Sequence, residues 1–167
     1  MPATTQPTRT VRLAAVAAAI GFGGIAIFEL ALAAGAPLGH AAWGGSHAHL
    51  STGQQIASAV AVLVWSAAAL IVLGRAGLWS AGKRALLFRR GTWFLAVVSV
   101  IAALMNFASH SHYENLIFGP IAVILAILCT ILARSAPNPR PSGHANGART
   151  SKKTPAQPGG GSAATSP

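Results

Sequence analysis

The sequence predicts an all-α protein built as a four-helix transmembrane bundle. Three observations carry that expectation. The 167-residue chain is 53% apolar with a mean hydropathy of +0.55. Only 8% of its residues are charged, against about 25% in an ordinary soluble domain. The apolar residues gather in four blocks, 13–34, 56–73, 92–108 and 116–133, in which Glu29 is the one charge. Each block reaches the roughly 17 to 25 helical residues that cross a ~30 Å hydrocarbon core, the third only just. None alternates as a strand would, and in lipid a single segment satisfies its own backbone only as a helix.

The placement of charge sets the orientation. Twelve Lys and Arg residues give a net charge of +10, a balance that in a soluble chain would point to nucleic acid. Here Arg9 and Arg12 precede the first block. Arg75, Lys83, Arg84, Arg89 and Arg90 lie in the second connection, and Arg134, Arg140, Arg149, Lys152 and Lys153 follow the fourth block. The first and third connections, 35–55 and 109–115, hold none. By the positive-inside rule both termini are cytoplasmic, and nucleic acid is not the expected partner. The expected neighbour of the cationic side is a bilayer with anionic headgroups, which attract each basic residue by about 1 kcal/mol near the surface. The single cysteine, Cys129, falls deep in the fourth block; it permits no internal disulfide and reads as a packing residue.

In chain order, 1–12 is a cytoplasmic lead and 13–134 the membrane domain. The first span reads as retained rather than cleaved, because its apolar run exceeds a signal-peptide core and Glu29 interrupts the far end. Ala15, Ala19 and Gly23 at intervals of four, with Ala17 and Gly21 beside them, let a second helix approach closely. This is packing within the bundle first, and a homo-oligomer or membrane-partner face second. The loop 35–55 is too rich in Gly, Ala and Trp to be simply solvated, and it is expected to fold back over the bundle mouth. Trp43 suits a headgroup-level position, and Gly44-Gly45 permits a tight turn. Gln54, Ser58, Ala61 and Trp65 fall on one face of the second helix.

The second connection mixes its cations with Leu78, Trp79, Leu86, Leu87 and Phe88. It reads as an orientation signal, with an amphipathic surface helix over 82–90 as the alternative. On the third helix Ser99, Ala102 or Ala103, Asn106 and His110 share a face. Glu114 or Asn115 is placed to cap the fourth helix. Pro120, one to two turns in, is expected to kink that helix and free a carbonyl. Residues 135–167 carry six of the ten prolines and no apolar periodicity, the composition of a disordered basic cytoplasmic tail.

Chemistry is confined to one side. Every histidine but His144, both acids, Asn106, Gln54, Gln55 and the sole tyrosine, Tyr113, map to the outer third. Part of this follows from excluding Lys and Arg from polar connections. Glu29 is different, since an ionised carboxylate facing lipid costs roughly 2.5 kcal/mol or more. It should face the bundle and pair with Asn106, a histidine or Gln54, or else hold its proton. The expected ligand pocket is Glu29, Trp43, Gln54, Asn106, Ser109, Ser111 and Glu114, with Glu29 and Glu114 the candidates for acid–base work.

The His-x-His pairs His47/His49 and His110/His112, with His40 and Glu114 nearby, could hold zinc or another transition metal. Exposed or interfacial histidines are the plainer reading, and no cofactor is predicted. No aspartate, Gly-x-Ser-x-Gly or phosphate-binding glycine loop is present.

The runs GAPLGHAAWGG, at 35–45, and NFASHSHYE, at 106–114, with Pro120 beyond, resemble an uncharacterised family of small four-span bacterial inner-membrane proteins of actinobacterial type. The resemblance covers about 12–134. Its pattern stresses Gly35, Pro37, Gly39, Trp43, Gly44, Gly45, Asn106, Ser109, Ser111, Glu114 and Pro120. Positions His47, His49, His110 and His112 are outside that pattern, and a basic residue is usual near His110. The family implies a plasma-membrane location and supplies no activity.

Together these point to a binding protein whose outer pocket takes a small ligand, a lipid or a partner protein. An enzyme acting on a lipid or small molecule through a Glu acid/base is the second reading. Metal or proton transport is the third, and the inner halves of the helices offer it little beyond Ser66 and Ser99.

Overall fold

The computed structural model describes residues 8–77 and 85–135. The predicted tail beyond 135, the start of the lead and the connection 78–84 lie outside the described residues. Four long helices account for most of the rest: α1 (Arg9–Ala33), α2 (Thr52–Arg75), α3 (Ala85–Phe107) and α4 (Gly119–Arg134). A π-helical turn, Glu114–Phe118, leads directly into α4, so that Glu114–Arg134 acts as one span. All four spans are long and apolar enough to cross a membrane. Among the described residues there is no strand.

Each span covers all but at most one residue of its apolar block, the fourth by way of the π turn, and extends past it at the basic end. Residues 85–90 form the opening turns of α3 rather than a separate surface helix. Caps mark the boundaries. Thr8 accepts the Val11 N–H at the start of α1. Ser51 and Gln54 form a reciprocal capping box on α2, satisfying donors that a helix start leaves open.

α1 packs on α2 and α4, and α3 on α4 and α2, so the four helices form a closed ring of neighbours. The end of α1, the start of α2, the end of α3 and the start of α4 meet at one end, bridged by hydrogen bonds between the two connections. That is an up-down-up-down bundle with a loop end and a basic end. Large apolar side chains point outward on every helix, including Ile20, Leu63, Leu104 and Leu116. Such an apolar belt is what lipid-facing surface requires.

The core is concentrated toward the basic end. Ala14, Ala15, Ala18 and Phe22 of α1 meet Ala68 and Val72 of α2, Leu95 and Ala96 of α3, and Leu125, Cys129 and Leu132 of α4. Cys129 is a free thiol with packing duty. The small-residue stripe holds in part. Ala15 is fully buried and Ala19 packs beside it, whereas a Cβ on Gly23 would meet nothing within 4 Å. Gly21 is the close approach on that face, since a Cβ there would stand 2.8 Å from Leu125 Cδ2. Phe22 stacks on Trp65 with centroids 5.7 Å apart. Above that pair, toward the loop end, the packing opens.

Overpacking therefore separates the two faces of α1. Ala18→Leu should destabilise by about 1–3 kcal/mol and lower the melting temperature in detergent, because Ala18 has no exposed surface. Ile20→Ala, on the exposed side, should leave that temperature nearly unchanged.

Candidate functional site

The opening is a cavity of about 430 Å³ at the loop end. Its walls come from all four helices and from the loop between α1 and α2. Glu29, Ile25 and Phe28 are supplied by α1, and Trp65 by α2. Ser99, Ala102, Met105 and Asn106 come from α3, with Glu114, Phe118, Ala122 and Leu125 from the fourth span. Ala41, Ala42, Trp43 and Gly44 close it from the loop.

The loop is held shut by its own backbone geometry. After α1, Gly35 turns the chain at φ 87°. A short 3₁₀ turn, Gly39–Ala41, then brings the backbone against the far side of the loop, where the Gly39 N–H donates to the Ala48 carbonyl at 2.8 Å. Only glycine fits there, since a Cβ would lie 2.3 Å from the His47 carbonyl oxygen. Trp43, Gly44 and Gly45 follow with φ of 54°, 80° and 75°. A left-handed tryptophan is unfavourable by roughly 1–3 kcal/mol, so surrounding contacts must hold it. Its indole Nε1–H donates to Ser58 Oγ at 3.3 Å, and the next residue, Gly44, donates its N–H to Glu114 Oε1 at 3.3 Å.

The second connection supplies the matching half. Ser111 is buried, donates its hydroxyl to the His40 carbonyl at 2.8 Å, and accepts the Glu114 N–H at 3.4 Å. It, rather than Glu114 or Asn115, caps the fourth span. The Glu114 carboxylate instead accepts from the Ser109 hydroxyl and from Gly44. Asn115 donates to the Ser109 and Ser111 carbonyls at 2.6 and 3.2 Å. Pro120 has no N–H to give, and the chain just before it widens into the π turn, closed by the Gly119 N–H on the Glu114 carbonyl.

Glu29 stands apart from this network. It is half-buried, and its Oε2 is buried without a hydrogen-bond partner. Ser58, whose hydroxyl oxygen accepts the Trp43 indole N–H, is the hydroxyl beside it. Asn106 turns its amide N–H onto the Ala102 carbonyl of its own helix at 2.9 Å. Ser99, only 2% exposed, also carries a hydroxyl oxygen without a partner. A buried acceptor left open costs about 1–3 kcal/mol. Two such groups facing one cavity are the mark of a site completed by something else.

Five of the seven expected pocket residues therefore converge: Glu29, Trp43, Asn106, Ser109 and Glu114. Gln54 and Ser111 do not line the cavity, because Gln54 caps α2 and Ser111 ties the two connections together. Trp65 and Ser99 also line the cavity, and Ser58 stands behind it as the partner of Trp43, although the sequence does not single these three out as pocket residues. Their signal was the polar register on α2 and α3, which placed them on the inward faces. His40, His47, His49, His110 and His112 are exposed around the loop end. Among the described residues, no three His, Cys, Asp or Glu side chains stand close enough to hold a metal ion.

The fold and its apolar belt fit a multi-pass membrane protein. Compared with protein-family models, with curated proteins and with solved structures, the chain matches none.

The loop closure is open to direct measurement. Gly39→Ala forces a Cβ into the opposite backbone and should speed hydrogen exchange across 38–50 by about tenfold or more, as expected for loss of ~1.4 kcal/mol of local stability. Gly53→Ala, where a Cβ meets nothing within 4 Å, should leave exchange there unchanged.

Proposed function

We propose that this protein is a non-enzymatic binding protein of the plasma membrane, with its cavity facing the cell exterior. The ligand enters beneath the loop and brings hydrogen-bond donors or positive charge. A single observation carries this reading: the cavity holds two carboxylates and no cationic side chain among its described lining residues. Glu114 already has two donors, while Glu29 Oε2 has none. An ammonium or hydroxyl group would satisfy Glu29 and Ser99 together, and the Trp43 and Trp65 indoles offer π faces to a cation. A carboxylate or phosphate ligand would meet like charge with nothing to offset it.

Orientation rests on the basic residues. Among the described residues Arg9, Arg12, Arg75, Arg89, Arg90 and Arg134 lie toward the end of the bundle opposite the cavity, and the other six basic residues follow Arg75 or Arg134 in the sequence, the arrangement that keeps that end cytoplasmic. A membrane-impermeant maleimide added to intact cells should label Ser46→Cys in the loop and leave Arg89→Cys untouched; Cys129 is buried and stays silent. The reverse pattern would turn the protein over.

Ligand class is testable with n-butylammonium and butyrate as probes on protein reconstituted in nanodiscs. Tryptophan emission should change saturably with the amine and not with the acid, and Trp43→Phe should remove much of the change. Glu29→Gln should weaken amine binding by about tenfold or more, since hydrogen bonds to charged groups contribute about 1.5–3 kcal/mol. Equal binding of butyrate, or indifference to Glu29→Gln, would overturn the assignment.

A further inference from the structure

A second, apolar depression of about 400 Å³ runs along the outside of the bundle between α1 and α4. Its walls include Ile20, Gly21 and Gly24 of α1 and Ile121, Ile124 and Leu128 of α4. The groove exists because α1 presents the small residues Ala17, Gly21 and Gly24 beside large exposed side chains such as Ile20. At Gly24 a Cβ would meet nothing within 4 Å. Ile20 and Ile124, 71% and 55% exposed, stand at its rims.

This groove adjoins the polar cavity. Ile25, Phe118 and Leu125 line both. Phe28 and Phe118, with ring centroids 4.9 Å apart, join α1 to the fourth span at this level. The cavity that holds the carboxylates and the lipid-facing groove are thus neighbours, divided by a wall of these side chains.

We infer that the ligand is a long-chain amphiphile: an ammonium-bearing head sits at Glu29, and one hydrocarbon chain leaves past Phe118 to lie in the α1–α4 groove. This rests on the binding role proposed for the cavity and names its ligand class. Three features select that occupant over others. The head end is anionic and aromatic, which suits an amine and opposes a bare phosphate. Ser99, nearly fully buried, and Glu29 each hold an unpartnered oxygen at that end. The tail end is apolar and open along its length, which suits a chain that is already in the bilayer. A free water-soluble amine would leave the groove without a purpose, and a partner helix would fill the groove without reaching Glu29.

The test uses the full chain in phosphatidylcholine nanodiscs with three probes: hexadecylamine carrying a diazirine in its chain, the matched hexadecyl phosphate, and n-butylammonium. Photolabelling by the long amine should fall within 17–28 and 118–128, exceed that of the phosphate at least tenfold, and drop at least tenfold in Glu29→Gln. Gly24→Leu, which fills the groove, should cut long-amine labelling at least fivefold. Gly23→Leu adds the same bulk on the same helix outside the groove, where a Cβ likewise meets nothing within 4 Å. It should label as the wild type does, and so exposes any loss that comes from misfolding. Equal labelling by amine and phosphate, or indifference to Gly24→Leu, would overturn the amphiphile while butylammonium binding kept the cavity's role. Failure of both amines to bind would remove that role as well.

Discussion

The cavity exists because two connections are tied to each other rather than left to solvent. The bond from the Ser111 hydroxyl to the His40 carbonyl and the bond from the Gly44 N–H to Glu114 hold the loop after α1 against the turn before α4. Together with the Trp43–Ser58 bond they offset the left-handed backbone at Trp43. Ser111 is also a helix cap, so a single buried side chain fixes both the start of the fourth span and the roof above it. The acid on that span serves the roof as well. This leaves Glu29 as the one carboxylate not spent on structure.

The bundle divides its work along its length. Toward the basic end, alanines and one cysteine let the helices approach closely, and the core there is solid. Toward the loop end, aromatic side chains from three spans (Phe28, Trp65 and Phe118) stand around open space. Packing density is what makes interiors rigid, so the solid half acts as a base from which the open half is held apart. A binding site set in a membrane needs that arrangement, because lipid gives the helices no hydrophobic reason to associate.

Much of this was legible in the residues. Apolar blocks of sufficient length, with Glu29 their one charge, pointed to the helices, and the placement of polar groups pointed to the end that holds the cavity. The glycines at 35, 39, 44 and 45 were visible as a pattern. Their reasons were not, since a 2.3 Å approach to a carbonyl across a loop is a tertiary fact. Gln54 illustrates the ambiguity of polar residues near a helix start: the same side chain reads as lining or as cap, and the Ser51–Gln54 spacing favoured the cap. Ser58 was visible on the polar register of α2, but its role was not, because its neighbours, Trp43 and Glu29, arrive from elsewhere in the chain. Pro120 announced a disturbed helix, but a proline alone does not say whether the chain will kink or widen.

It widened, and that has a consequence for how such a site arises. Each residue of an α-helix advances the side-chain direction by about 100°, so a turn that accommodates one residue more rotates everything before it relative to everything after. Below the π turn, the span offers Leu125, Cys129 and Leu132 to the core as any bundle helix would. Within it, Glu114 and Phe118 are delivered to the cavity. Removing a single residue there would restore an ordinary helix and swing the acid out of register. A plain helical span and one that brings a carboxylate to the cavity thus differ by a single accommodated residue.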